Sequence, residues 1–262
     1  MSKKPTKKPQ WVIEKEQNKK AGVDNVWLFG LHAVRDALMN PNREKLRLIV
    51  TLNAQNKLED AIAAAGITPE VVDPRRFNAP LDPNSVHQGA ALEVKPLNWG
   101  SLAENCIGAE VPRVILLDRV TDPHNVGAIL RSAEVLGASA VIGTRHHSAP
   151  ETGALAKTAS GALERQPYLR MRNLADTITE LQNMGFVVLG LDGEAEDTIE
   201  SCLQGRKDLP VALVLGAEGP GLRQKTKETV DHLVKIDASG GFGSLNVSNA
   251  AAIALYASKE RS

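Results

Sequence analysis

Residues Arg113–Gly143 read RVILLDRVTDPHNVGAILRSAEVLGASAVIG, and the order of patterns in this stretch decides the fold. An apolar run at Val114–Asp118 leads into a polar turn around Asp122 and Pro123. An amphipathic stretch over Ala128–Leu136, a glycine and a second apolar run at Ala140–Gly143 follow. Short β-branched runs without polar alternation are strands buried on both faces, and a helix between two of them makes a parallel crossover. The alternation continues downstream. FVVLGLD (Phe186–Asp192), VALVLG (Val211–Gly216) and HLVKI (His232–Ile236) read as strands, and Leu174–Met184 and Leu222–Val230 as helices. Residues 113–262 are therefore expected to form an α/β domain around a parallel sheet.

In such sheets the ligand sits beyond the carboxyl ends of the strands. That rule selects the loops after Asp118, after Leu215 (GAEGPGLR) and after Ile236 (DASGGFGSLNVSN). Upstream, VWLFGLHAVRDALMN (Val26–Asn40) reads as a strand and a helix, and KLRLIVTL (Lys45–Leu52) as a strand. Lys57–Ala65 reads as a helix closed by Gly66, ITPEVVD as a short strand and SVHQGAALEVKPL as a last one. These make a second, smaller α/β unit over 26–97, with 98–112 expected as a linker.

Lysines dominate residues 1–20, with two prolines and little apolar content, so 1–25 is expected to be a disordered basic arm. Its role is open between a solubilising tail and an RNA contact. Over all 262 residues Lys+Arg and Asp+Glu are 31 each, so no global charge steers the chain towards nucleic acid or membrane. No apolar run approaches the ~20 residues of a membrane span, and no signal-peptide core follows the lysines; a cytoplasmic protein is expected. Cys106 and Cys202 belong to no paired motif, and His146-His147 lacks metal-ligand spacing, so no metal is expected.

The glycine-rich loops fail the nucleotide-binding patterns. Gly216 and Gly221 have the P-loop interval, but Leu222 and Arg223 stand where Lys and Ser/Thr are required. Gly241 and Gly243 begin a dinucleotide fingerprint, but Asn246 occupies the third glycine's place. The polar residues carry more. Asn125 suits the N-cap of the helix after Asp122-Pro123. Arg131 breaks an apolar helical surface, and is either a functional group or an exposed partner of Glu134. Glu218 lies between glycines, and is either solvated or part of a site. Ser244 and Asn246 open the last helix, where both can cap. Each has an ordinary structural explanation, but all converge on one sheet edge.

LDRVTDPHNVGAILRSAEVLGASAVI, LVLGAEGPGL and SLNVSNAAAIALY resemble, in order and spacing, the three signature motifs of the SpoU/TrmH family of RNA ribose 2′-O-methyltransferases. WLFGLHAVRDAL resembles the opening of an N-terminal substrate-binding domain related to ribosomal protein L30e, found in the branch that modifies 23S rRNA. The likeness spans Val26 to Tyr256. It implies a C-terminal domain tied in a trefoil knot, a homodimer with its site near the interface, and S-adenosylmethionine bound by the backbone of Gly216, Ile236 and Leu245. By motif match Asn125, Arg131, Glu218, Ser244 and Asn246 carry catalysis or position the nucleotide, with Glu218 expected to hold the Arg131 fork. The expected substrate is a guanosine of 23S rRNA, free or in a ribosome-assembly intermediate. The alternatives are a tRNA substrate and a non-catalytic RNA-binding assembly factor. Asp237-Ala238 departs from the proline and apolar residue common in the family, which implies a differently shaped adenine pocket and weaker cofactor binding.

Methyl transfer from a sulfonium is an in-line displacement, so alignment is a large part of catalysis. A guanidinium stays charged at neutral pH, so Arg131 is expected to hold the target phosphate rather than act as the base.

Overall fold

The computed structural model describes residues 25–107, 109–206, 208–237 and 245–259. The expected basic arm, apart from Asn25, and Ser244 lie outside them. The chain divides into two compact units, one of residues 1–97 with 151–157, the other of residues 98–150 with 158–262.

In the first unit, β1 (Val26–Phe29), α1 (Leu31–Met39), β2 (Lys45–Val50), α2 (Leu52–Lys57), α3 (Glu59–Ala65), β3 (Glu70–Val71) and β4 (Ala90–Val94) follow one another. The strands make a sheet of order β1-β4-β2-β3, antiparallel except for the β2–β3 pair. The second strand ends at Val50 rather than Leu52. Thr51 is an N-cap whose side chain accepts from the Ala54 amide, which starts α2 at once. Gly66 closes α3 in the left-handed region at φ 64°.

The second unit contains α4 (Leu102–Cys106), β5 (Arg113–Asp118), α5 (Pro123–Leu136), β6 (Ala140–Thr144), β7 (Tyr168–Met171), α7 (Leu174–Asn183), β8 (Val187–Leu191), α8 (Ile199–Leu203), β9 (Val211–Gly216), α9 (Gln224–Thr229), β10 (His232–Val234) and α10 (Val247–Ala257). Helix α6 (Gly153–Ala159) is divided between the units. The six strands run in the order β10-β8-β9-β5-β6-β7, and every neighbouring pair is parallel. The expected parallel sheet is present, with one strand more than the apolar runs indicate. Strand β7 (YLRM) sits at an edge and carries Arg170, so its pattern is not continuously apolar.

Alternate residues of β5, β6, β8 and β9, among them Val114, Leu116, Ile142, Val188 and Val214, join Ile178 and Leu181 of α7 in one buried cluster. Leu102 and Cys106 of α4 belong to the same cluster, so part of the expected linker is core rather than tether. A capping box between Ser101 and Glu104 starts that helix. Burial, with Glu180 adding a like-signed effect, pushes the Cys106 thiol up to about 12, so it behaves as an apolar core group. On the outer side α10 packs against α5 and β9. Arg113 is 9% exposed, and its guanidinium donates to the carbonyls of Leu255 (2.8 Å) and Leu136 (2.6 Å), so one side chain caps the ends of both helices. No helix among the described residues is long and apolar enough to cross a membrane.

Candidate active site at the carboxyl edge of the parallel sheet

Strand β5 ends on Asp118, which is fully buried. Its Oδ2 accepts from the Arg223 amide (3.0 Å) and the Thr226 hydroxyl (2.7 Å), and its Oδ1 from Arg223 Nε (2.6 Å). A buried carboxylate persists only with such compensation. The result is a clasp that fixes the loop between β9 and α9 to the end of β5. That loop closes on itself: the Gly221 amide donates to the Ala217 carbonyl (2.9 Å), and Gly219 and Gly221 have φ values of 83° and 67°. A Cβ on Gly216 would lie 2.2 Å from the Gly221 carbonyl carbon, so that position excludes any side chain. Glu218 is presented, exposed, from this tight loop.

On the neighbouring strand the chain turns through Asp122, the actual N-cap of α5, whose side chain accepts from the His124 amide (3.1 Å). Pro123 fills the first helical position. Asn125 is therefore not the cap expected from its place after the turn. Its side chain is free for another use, and its Nδ2 donates to Glu218 Oε1 (3.2 Å). Asn246 is the N-cap of α10, as expected, with Oδ1 accepting from the Ser248 amide (2.9 Å) and hydroxyl (2.6 Å). Its Nδ2 donates to Glu218 Oε1 (2.6 Å) and to Asn125 Oδ1 (3.0 Å). Three residues from three separated segments thus close a hydrogen-bonded triangle.

Arg131 does not enter it. The residue is exposed on α5, and among the described residues no hydrogen bond or ion pair involves its side chain. The Glu134 pairing is also absent, because Glu134 bonds Arg165 instead. Nor does Glu218 hold the Arg131 fork; its Oε1 is taken by the two amides. Gly216 lies two residues before Glu218 and Leu245, 48% exposed, immediately before Asn246. Ile236, partly buried, lies two residues beyond the end of β10. The Asp118–Arg223–Thr226 clasp was not signalled by any local pattern. Nor was His124, whose Nδ1 lies 3.1 Å from Thr158 Oγ1, although its place in the Asp122-Pro123 turn marks that loop.

The SpoU rRNA Methylase family model matches residues 112–256, and the model described as RNA 2′-O ribose methyltransferase substrate binding matches residues 27–100. The chain belongs to the SpoU rRNA methylase family. It is 36% identical over 249 residues to the 23S rRNA (guanosine-2′-O-)-methyltransferase RlmB of Vibrio vulnificus, covering 89% of this chain and 96% of that one. The RlmB of Ralstonia nicotianae is 40% identical over 236 residues, covering 87% and 93%. Among solved structures, the SpoU methyltransferase AviRb from Streptomyces viridochromogenes, in complex with AdoMet, superposes with a TM-score of 0.76. It has 22% identity and coverage of 93% and 92%. The triangle in this SpoU-family chain therefore draws one residue from each of the three motif segments that carried the resemblance.

Proposed function

We propose that the protein transfers the methyl group of S-adenosylmethionine to the 2′-hydroxyl of a guanosine ribose in 23S rRNA. The observation that carries this reading is the triangle of Asn125, Glu218 and Asn246 at the strand ends of a SpoU-family sheet. The relatives' named activity supports the substrate, and the second family match supports residues 27–100 as the domain that binds the RNA substrate, which the resemblance makes L30e-like. A trefoil knot is what membership of this family implies for the domain matched over residues 112–256. Strand β10 lies at the outer edge beyond β8, while α10 packs on β9 and α5, on the other side of β8.

The residues suit the cofactor. Gly216 offers backbone where a side chain has no room, and Leu245 offers an exposed apolar surface, both appropriate to a cation that needs no strong anion beside its sulfur. Bound S-adenosylmethionine supplies an electrophilic methyl group on sulfonium sulfur. Gly216, Ile236 and Leu245 hold it. The Asn125 and Asn246 amides fix Glu218, so that its remaining oxygen orients the target ribose. Ser244 contributes a hydroxyl to the same nucleotide. Arg131 holds the target phosphate and favours loss of the 2′-hydroxyl proton electrostatically. An interface on this face of α5 is supported by Val135, 76% exposed one turn beyond the exposed Arg131. A second copy covering this face makes the functional unit a homodimer.

Labelled-methyl transfer to unmodified total RNA, followed by mapping, tests the assignment. The expected product is one 2′-O-methylguanosine in 23S rRNA, lost when that ribose is replaced by deoxyribose. Transfer to tRNA would move the substrate, and absence of transfer to any RNA would leave a non-catalytic RNA-binding factor.

A further inference from the structure

Three arginines follow directly on the last residues of three adjacent strands. Arg119 comes after Asp118 of β5, Arg145 after Thr144 of β6 and Arg172 after Met171 of β7. Leu116 and Ile142 are the last paired residues of β5 and β6, and Arg119 and Arg145 each follow three residues later. Thr144 pairs with Met171, so Arg145 faces Arg172, and the Arg145 amide still donates to the Met171 carbonyl (2.8 Å). Neighbouring strands are about 4.8 Å apart, so the row spans roughly 10 Å of the carboxyl edge. On the other side of β5, Asp118 pairs with Gly216 of β9, which leads within two residues to Glu218. The row therefore runs along the edge that carries the triangle and leads away from it.

Two features show that this edge is built. Arg119 has φ 62°, a left-handed conformation that glycine adopts freely and a residue with a Cβ adopts only with backbone strain. Retaining an arginine there favours a use for its side chain. The loop carrying Arg145 is held from beneath by Arg170, which donates to the carbonyls of Thr144 (3.0 Å), Arg145 (2.7 Å), Ser148 (3.1 Å) and Ala149 (2.8 Å). Tyr168 adds a hydroxyl bond to Ala149 (2.7 Å). With its backbone satisfied from inside, the loop turns Arg145, His146 and His147 outward. Arg145 spends its Nε on the Arg170 carbonyl (3.1 Å). Among the described residues no carboxylate pairs with Arg119, Arg145 or Arg172. The nearby Asp118 is turned inward to Arg223 and Thr226, and Asp122 is committed to its helix.

An exposed row of unpaired guanidiniums beside a nucleotide-modifying site matches a phosphodiester backbone, because a planar fork binds phosphate oxygens in pairs. We propose that Arg119, Arg145 and Arg172 form a phosphate track for the RNA strand flanking the target nucleotide; this rests on the methyltransferase reading above. The track also accounts for how a chain of zero formal net charge holds RNA: locally, along one edge.

The test measures binding of unmodified 23S rRNA, transcribed in vitro, against salt concentration, using the full-length protein. Arg145→Gln and Arg172→Gln should each reduce the slope of log K on log salt by about 0.7–0.9, and together with Arg119→Asn by about 2–3. Apparent KM for RNA should rise, while turnover at saturating RNA and affinity for S-adenosylmethionine stay near wild type. Arg145→Lys, which keeps the charge, should retain most of the slope and serves as the control where Arg145→Gln perturbs the loop. An unchanged slope in the triple variant, with methyl transfer intact, overturns the track alone. Equal losses of RNA and cofactor affinity overturn it in favour of a structural role. A wild-type protein that binds the transcript with the expected slope but transfers no methyl group overturns the underlying activity.

Discussion

Asn246 uses every hydrogen-bonding capacity of its side chain: Oδ1 accepts twice from Ser248, and Nδ2 donates once to Glu218 and once to Asn125. The residue is both a helix cap and the keystone of the triangle, and the two roles separate by substitution. Asn246→Ala should cost about 1 kcal/mol of stability through the lost cap and reduce turnover far more than cofactor affinity. Asn246→Ser keeps a capping oxygen but no amide donors. It should restore most of the stability in urea denaturation and none of the turnover. Recovery of turnover by serine would show that capping, rather than orientation of Glu218, is what the site requires. The loops that carry the candidate residues were legible from the strand pattern, whereas the roles of those residues came from the family likeness. Their partners were less legible: Asn125 satisfies the cap preferences of its turn, yet Asp122 takes the cap because Pro123 fills the first helical position and leaves Asn125 inside the first turn.

Among the elements, the β9–α9 connection shows how a loop holds a charged side chain in place. Gly216 packs backbone against backbone at Gly221, and Asp118 clamps the far end through Arg223 and Thr226. Gly216→Ala should force the loop open, lowering thermal stability by about 1–3 kcal/mol and abolishing methyl transfer, with both read on the same preparation. A second tie crosses this region. Lys227 of α9 bonds Asp192, just past β8, at 2.5 Å, and holds its carboxyl below the usual carboxylate range. Because the folded value is depressed, the pair's stabilisation is present above pH 4 or so and is lost as pH falls through the lower folded value. The same contact holds the Lys227 ammonium above its usual value, so Lys227→Met should flatten the stability–pH curve both on its acid limb and above the usual lysine range. Regular strands and helices of this kind were visible as patterns of apolar residues. The clasp was not, because Asp118 and Arg223 lie 105 residues apart and no periodicity links them. The short helices α4 and α8 are set by capping boxes at Ser101 and Thr198 rather than by an amphipathic repeat long enough to stand out.

For the whole molecule, the unresolved contrast lies between a complete triangle and an Arg131 that stands apart from it. The two would be reconciled by the face on which Arg131 lies. Helices α5 and α10 pack together, and their outer surface exposes Val135 (76%), Ile253 (41%) and Tyr256 (57%). Exposed apolar side chains on two packed helices mark an interface where they form one patch. A single sequence encodes such positions as ordinary amphipathic helix, so only the fold reveals that Val135 and Ile253 are exposed among the described residues. If a second copy covers them, Arg131 becomes part of a desolvated site without moving on its helix, and its electrostatic effect on phosphate strengthens. Ile253→Asp with Tyr256→Lys should then yield monomers in sedimentation velocity at micromolar concentration, with unchanged helical circular dichroism. Turnover should fall to the level of Arg131→Ala, and adding that substitution to the monomeric variant should cost nothing further. A monomeric wild type, or a monomeric variant with full turnover, would place the work of Arg131 within one chain.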